Sequence, residues 1–212
     1  MDLQWLQSRL DRRLDEARDH LSATLATAAF PIRDEIKLHE LEGILSTLWQ
    51  IWNRYCRQVV MASCLGCDTR TLGRLAGIHA AEPIVAYIAK HQKNGSPPNS
   101  TGTLTVTRFE PTWGDMAKLV QIITALAPVN ESQLLAAFGT VPRISHIQDL
   151  RNATAHRNTQ AMQTVFAWQA SYLAQRVRHP LEALFWTDPV ASKYLVLARI
   201  DDMSQAAYLA SC

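Results

Sequence analysis

The stretch QDLRNATAHRN, Gln148 to Asn158, sets an arginine, an asparagine and a histidine within about one and a half helical turns of one another. Arg151 offers the planar fork that holds phosphate or carboxylate oxygens through charge-assisted hydrogen bonds. His156 offers a side chain whose ordinary pKa lies near neutrality, as a general acid or base at physiological pH requires. Asn152 can orient either one. Arg157, directly after the histidine, adds a positive charge that serves phosphate affinity or simply faces water. The competing reading is that these residues form the polar side of a structural helix, the ordinary fate of such side chains.

The element that carries them is predicted to begin at SHIQ, where Ser145 and Gln148 form a capping box. With neither Pro nor Gly before Pro180, the pattern predicts one helix from Ser145 to about Val177, the spine of the fold. Ile147, Leu150, Thr154, Ala161, Val165, Trp168 and Tyr172 fall on one core stripe. Ala155, Met162, Phe166, Ala170, Leu173 and Val177 make a second apolar stripe, more than a surface helix needs, so the helix is central to a bundle or packs against a partner. Arg151 lies between the stripes, whereas Asn152 and His156, at i and i+4, share a face beyond the second. If a second copy packs there, two Arg/His sets meet in one cleft at a two-fold seam.

The rest of the chain reads as helices. Leu3, Leu6, Leu10, Leu14, Leu21 and Leu25 recur at helical spacing in an amphipathic N-terminal helix ended by Phe30-Pro31. A second helix is expected from about Asp34 to Ser63, with Gly66 as its stop, and a third from Thr69 to Gln92, bent or interrupted near Pro83. KNGSPPNSTG is a loop signal, and TLTVTRF after it alternates like a short strand, so residues 93–114 are expected to be an insertion, a hairpin or a lid. Helices resume at DMAKLVQIITALA and at NESQLLAAF, the latter capped by Asn130.

Composition limits the function classes. The chain of 212 residues is 48% apolar, enough for one large domain, 1–212, with a real core. A formal charge of +2 gives no overall pull towards nucleic acid or membrane, so a charged partner must meet a local patch. The 21 basic residues are 16 Arg and 5 Lys, a choice that suits oxyanion recognition or reflects genomic composition. Four cysteines without a secretory leader suggest a reducing compartment, and no apolar run approaches a membrane span, so the expectation is a soluble, cytoplasmic protein with no membrane partner.

RNATAH resembles the R-x4-H motif of the HEPN superfamily (higher eukaryotes and prokaryotes nucleotide-binding), in which a polar residue, often Asn, follows the Arg. The helical context, the motif's place near the start of a long late helix, and HELEGILSTLW, similar to an early helix of some branches, fit the same family. The resemblance implies an all-α, HEPN-like antiparallel helical bundle with a loop or short β insertion. It implies a homodimeric, metal-independent endoribonuclease that needs no cofactor. In such an enzyme His156 acts as base or acid, Arg151 clamps the scissile phosphate and Asn152 orients one of them, leaving 2′,3′-cyclic phosphate and 5′-hydroxyl ends. Many relatives are toxins or antiphage effectors, some with an inhibitor or antitoxin partner. The alternative is a catalytically inactive module of the same fold that binds RNA, nucleotide or protein. Some toxin members carry a tyrosine two places after the His; here that position is Asn158, which sets the chain outside that branch.

Other candidates are weaker. Cys64 and Cys67 form a lone C-x2-C that would need His79 or His91 to complete a zinc site, and buried thiols are the simpler reading. Arg9, Arg12, Arg13 and Arg18 alternate with acids, as on a salt-bridged helix surface. Trp49 and Trp52 have core spacing, and His146 and His179 read as surface or terminal positions at the ends of the spine helix. No Walker loop, dinucleotide fingerprint or nucleophile elbow is present.

Overall fold

Every leucine of the N-terminal pattern is buried along one helix, α1, Leu3–Thr27. The computed structural model describes residues 1–156 and 158–212. The remaining helices are α2 (Glu35–Leu65), α3 (Glu82–His91), α4 (Met116–Leu126), α5 (Glu131–Gly139), α6 (Ser145–His156), α7 (Thr159–Ala167) and α8 (Leu195–Ser211). Two antiparallel pairs of short strands, β1 (Gly66–Thr69) with β2 (Gly73–Ala76) and β3 (Thr187–Asp188) with β4 (Lys193–Tyr194), are the described strands of a mainly helical protein. Among the described residues no helix is long and apolar enough to cross a membrane.

The chain divides into two compact units, one made of Met1–Asp11, Trp52–Pro142 and Ser204–Cys212, the other of Arg12–Ile51 and Arg143–Met203. In the first, the start of α1 meets the end of α8 through Ser204 Oγ to Asp11 (2.5 Å) and Ser211 Oγ to Gln7 (2.9 Å). Trp52 stacks on Tyr55 and meets Phe138 edge-on, all three buried.

The third helix is shorter than its pattern suggested. Residues 66–76 form the β1–β2 hairpin instead, and α3 begins at Glu82 with Pro83 in its first turn. A proline there forfeits no intrahelical bond, so Pro83 starts the helix and does not bend it. Gly66 does stop α2, at φ +102°, where a side chain would press on the backbone of Gly77. Asn130 precedes α5 as expected but does not cap it: its amide turns inward to Ser63 Oγ at 3.2 Å.

The insertion at 93–114 contains no strand. Lys93 and Ser96 exchange backbone bonds around a tight turn, and a 3-10 turn occupies Thr107–Phe109. The alternating TLTVTRF pattern finds no partner strand, and Leu104 N–H goes to the Pro83 carbonyl at 2.8 Å. Its far end is anchored: Arg57 on α2 holds Glu110 through Nε (2.7 Å) and Nη2 (2.9 Å), and the buried Trp113 donates to the same carboxylate at 2.8 Å.

In the second unit the expected spine helix from Ser145 to Val177 is two helices and a 3-10 turn, Gln169–Ser171. The break has a local cause, since Asn158 Oδ1 accepts from Ala161 N–H at 2.8 Å and so caps a new helix. Asn competes with a continuing helix in this way without Gly or Pro. The chain then leaves helical geometry altogether, and Leu173 exchanges backbone bonds with Thr187. A dimer face formed by one unbroken 145–177 helix therefore does not exist. Nearby, the buried Glu182 accepts from the backbone N–H groups of Ile32 (3.1 Å), Arg178 (2.6 Å) and His179 (3.2 Å), fastening the α1–α2 connection to the 3-10 turn Pro180–Phe185.

Candidate functional site

The first stripe of the motif helix is core. Ile147, Leu150, Ala153 and Thr154 are buried, and the Thr154 hydroxyl donates back to the Leu150 carbonyl at 2.8 Å. With that side inward, α6 must turn Arg151 and His156 to solvent and leave Asn152 half-buried. Arg151 Nη1 donates to Asn152 Oδ1 at 3.3 Å, and no carboxylate among the described residues forms an ion pair with it. His156 is the last residue of α6 and is exposed. Arg157 lies outside the described residues. The second apolar stripe is only partly covered: Val177 is buried and Met162 half-buried, whereas Ala155, Phe166, Ala170 and Leu173 are exposed.

At about 100° per residue, Arg151 and His156 leave the helix roughly 140° apart, whereas Asn152 and His156 differ by about 40°. Asn152 therefore links the two, sharing a face with the histidine and a hydrogen bond with the arginine.

Beside Asn152 is a groove that the sequence did not announce. Asp149, Asn152, Asn158, Gln160, Ala161 and Thr164 line about 220 Å³ where the C-terminal half of α6 faces the start of α7. It depends on the break between the two helices, so the signal that could have found it is the N-cap preference of Asn158.

A second polar cluster in this unit was also missed. His146 is not a surface residue: it is half-buried, its ring stacks on Trp168 at 4.3 Å between centroids, and Nδ1 lies 2.6 Å from the Tyr172 hydroxyl. Arg199 Nη1 donates to that same hydroxyl at 2.8 Å. Arginine can only donate, so the Tyr172 oxygen accepts from Arg199 and its own proton is available to His146 Nδ1 when that nitrogen is the unprotonated one of a neutral imidazole. Burial, with Arg199 and Arg143 nearby, pushes the His146 pKa down to about 4, and burial pushes Tyr172 up to about 12. Arg199 Nη2 also reaches Asp188 at 2.7 Å, and its Nε lies 2.8 Å from Asp202 without the alignment of a hydrogen bond. Asp188 resists its burial because the Ala191 and Val190 N–H groups and Arg199 hold its carboxyl below the usual range. Its charged and hydroxyl groups are bonded mainly to one another, so this cluster works as a structural core.

Cys64 and Cys67 are both buried, and burial pushes the Cys64 thiol up to about 12 and raises Cys67 as well. Protonated thiols are poor metal ligands, and among the described residues no group of three or more His, Cys, Asp or Glu is placed to hold a metal ion. Trp49 and Trp52 are core residues.

Comparison with known protein families, with curated proteins and with solved structures finds no match to this chain.

Proposed function

We propose that the protein is a metal-independent endoribonuclease of the HEPN kind, working through Arg151, Asn152 and His156. One observation carries the reading: an arginine and a histidine stand exposed on the same short helix, the arginine hydrogen-bonded to Asn152 and in no ion pair with a carboxylate among the described residues. Elsewhere in the same unit Arg18 and Arg199 sit in ion pairs, with Asp201 (2.8 Å) and Asp188 (2.7 Å). A guanidinium to hold the phosphate oxygens and an imidazole to move the proton are the minimum a metal-free phosphodiester cleavage requires.

His156 takes the ribose 2′-hydroxyl proton as that oxygen attacks phosphorus, and Arg151 holds the non-bridging oxygens as their charge grows. The leaving 5′-oxygen is protonated by a second imidazolium or by water, giving a 2′,3′-cyclic phosphate and a 5′-hydroxyl. The angle of roughly 140° between Arg151 and His156 favours a site completed by a second copy of the chain, each supplying what the other directs away. Exposed Phe166 and Leu173 supply apolar surface for such pairing.

The test is incubation of the wild type and His156→Ala with labelled RNA in excess EDTA, followed by analysis of the ends. Cleavage by the wild type alone, leaving cyclic phosphates, supports the enzyme. RNA binding without cleavage supports the second reading, a catalytically inactive RNA-, nucleotide- or protein-binding module, which the amide-lined groove beside Asn152 favours.

A further inference from the structure

The segment between the Lys93–Ser96 turn and the 3-10 turn Thr107–Phe109 has the pattern and the course of a strand with no strand beside it. It runs along α3 in the opposite direction: a Cβ added at Gly102 would come within 2.5 Å of the Tyr87 ring, and Leu104 N–H donates to the Pro83 carbonyl at 2.8 Å. Two residues of the segment thus cover four residues of helix, about 6 Å at 1.5 Å each, so each advances about 3 Å, close to the strand value and twice the helical one. Exposure alternates with the same period of two, since Gly102 and Leu104 are half-buried whereas Thr101, Thr103 and Thr105 are exposed. Val106 has extended backbone angles, φ −98° and ψ 104°. Successive residues of a strand turn their N–H and C=O groups to opposite edges. Leu104 turns its N–H to α3, so Thr103 and Thr105 turn theirs to the other edge. Among the described residues the N–H and C=O groups of Thr103 and Thr105 make no hydrogen bond. One edge of the segment is covered by α3 and the other is open.

We propose that this open edge pairs with the same edge of a second copy of the chain, forming an antiparallel two-stranded ribbon centred on Leu104. TGTLTVT, Thr101 to Thr107, is close to a palindrome about that leucine. Pairing centred there sets Leu104 opposite Leu104, Thr103 opposite Thr105 of the second copy, and Thr101 opposite Thr107 at the ends. Thr103 and Thr105 are the residues whose backbone groups face the open edge, so they make the hydrogen-bonded pairs, and Leu104, bonded to Pro83, makes the non-hydrogen-bonded one. Each outward pair is Thr against Thr, a favourable cross-strand combination. No charged residue stands between Lys93 and Arg108, and Arg108 falls opposite Ser100, so two copies meet with no like charges facing. With α3 on the other edge, the pairing closes at two copies, and Pro97 and Pro98 keep the ribbon from lengthening. The segment belongs to the unit that does not contain α6, and its pairing stands whether or not α6 cleaves RNA.

The test is sedimentation of the full chain over a range of concentrations, joined to amide hydrogen exchange on the same samples. The wild type should dimerise reversibly, and the Thr103 and Thr105 amides should exchange freely in the monomer and slowly in the dimer, while Leu104 stays protected in both. Thr103→Glu combined with Thr105→Glu sets like charges opposite each other and should weaken the dimer about tenfold or more. Thr103→Lys combined with Thr105→Glu sets opposite charges face to face in this register and should restore it. Both double variants change exposed side chains, so their unfolding midpoints should match that of the wild type. A wild type that stays monomeric at every concentration, or a dimer whose Thr103 and Thr105 amides exchange freely, overturns the proposal. So does a dimer as strong in the like-charged variant as in the wild type, which places the contact elsewhere, the α6 face included. Loss of pairing in both double variants overturns the register and the proposal with it.

Discussion

Arg199 and Asp188 form an ion pair of 2.7 Å whose side chains are only 4% and 1% exposed. The pair ties the start of α8 to the β3–β4 turn, since Asp188 Oδ1 also accepts from the N–H groups of Val190 (2.9 Å) and Ala191 (3.1 Å). Asp188→Asn keeps that acceptor and removes the charge, leaving the buried guanidinium with Asp202 and the Tyr172 hydroxyl. Breaking a buried pair from one side costs about 3–5 kcal/mol, and the remaining partners place this case near the lower end. Arg143→Ala is the control: Arg143 meets the same carboxylate at 3.4 Å with 44% of its side chain exposed, so its loss should cost less than about 1 kcal/mol. Equal denaturant midpoints for the two variants would show that the pair does not carry the fold as described.

The cluster around Arg199 also shows what the sequence could and could not display. The α1 leucines were legible because burial along a helix repeats every three to four residues. The types and spacing of Arg151, Asn152 and His156 were legible too, and α6 does turn Arg151 and His156 to solvent. The long spine helix failed because one Asn158 side chain bond outweighs a favourable periodic pattern, and TLTVTRF failed because alternation describes a strand only where another strand is at hand. His146 misled for a further reason: its partners Tyr172 and Arg199 are 26 and 53 positions away (172 − 146 and 199 − 146), and no local pattern encodes that meeting.

Stability should depend on His146 between neutral and acid pH. In the unfolded chain an imidazole takes its proton near pH 6.5, whereas the folded His146 does so only at about 4. Between those values the unfolded state binds more protons, so the contribution is complete above about pH 6.5 and is lost progressively as pH falls towards 4. Allowing for partial solvent access, it is on the order of 1–2 kcal/mol. His146→Phe preserves an aromatic face against Trp168 and removes the titration. The gap in unfolding free energy between the wild type and this variant should shrink from pH 7 to pH 5. A gap constant across that range would contradict the neutral, hydrogen-bonded imidazole.

Arg57 should act as the latch of the 93–114 segment. Glu110 takes both arms of the Arg57 fork and the Trp113 indole N–H, and its own side chain is 6% exposed. Removing the guanidinium leaves a largely buried carboxylate facing an indole, a cost of about 2–3 kcal/mol. The effect should be local first, because few other bonds hold this stretch. Limited trypsin digestion should cut Arg57→Ala at Lys93 and Arg108 well before the wild type, with Arg57→Lys intermediate, since an ammonium keeps the charge but not the fork. Unchanged digestion would mean that Trp113 burial alone retains the segment.

Arg151 separates charge from geometry at the proposed catalytic helix. Its guanidinium is held by Asn152 Oδ1 in a pose that leaves its remaining donors to solvent, and lysine can supply the same charge without a planar fork. If the fork clamps two phosphate oxygens in the transition state, Arg151→Lys should lower cleavage about tenfold or more through kcat, with KM less affected, and Arg151→Ala should lower it further. Neither change touches the core, because the side chain is exposed and the apolar side of α6 is formed by Ile147, Leu150 and Ala153. Unfolding midpoints should therefore stay within about 0.5 kcal/mol of the wild type. Full activity in Arg151→Lys would reduce the residue to a counter-charge for RNA, and its effect should then fade with added salt as a backbone contact does.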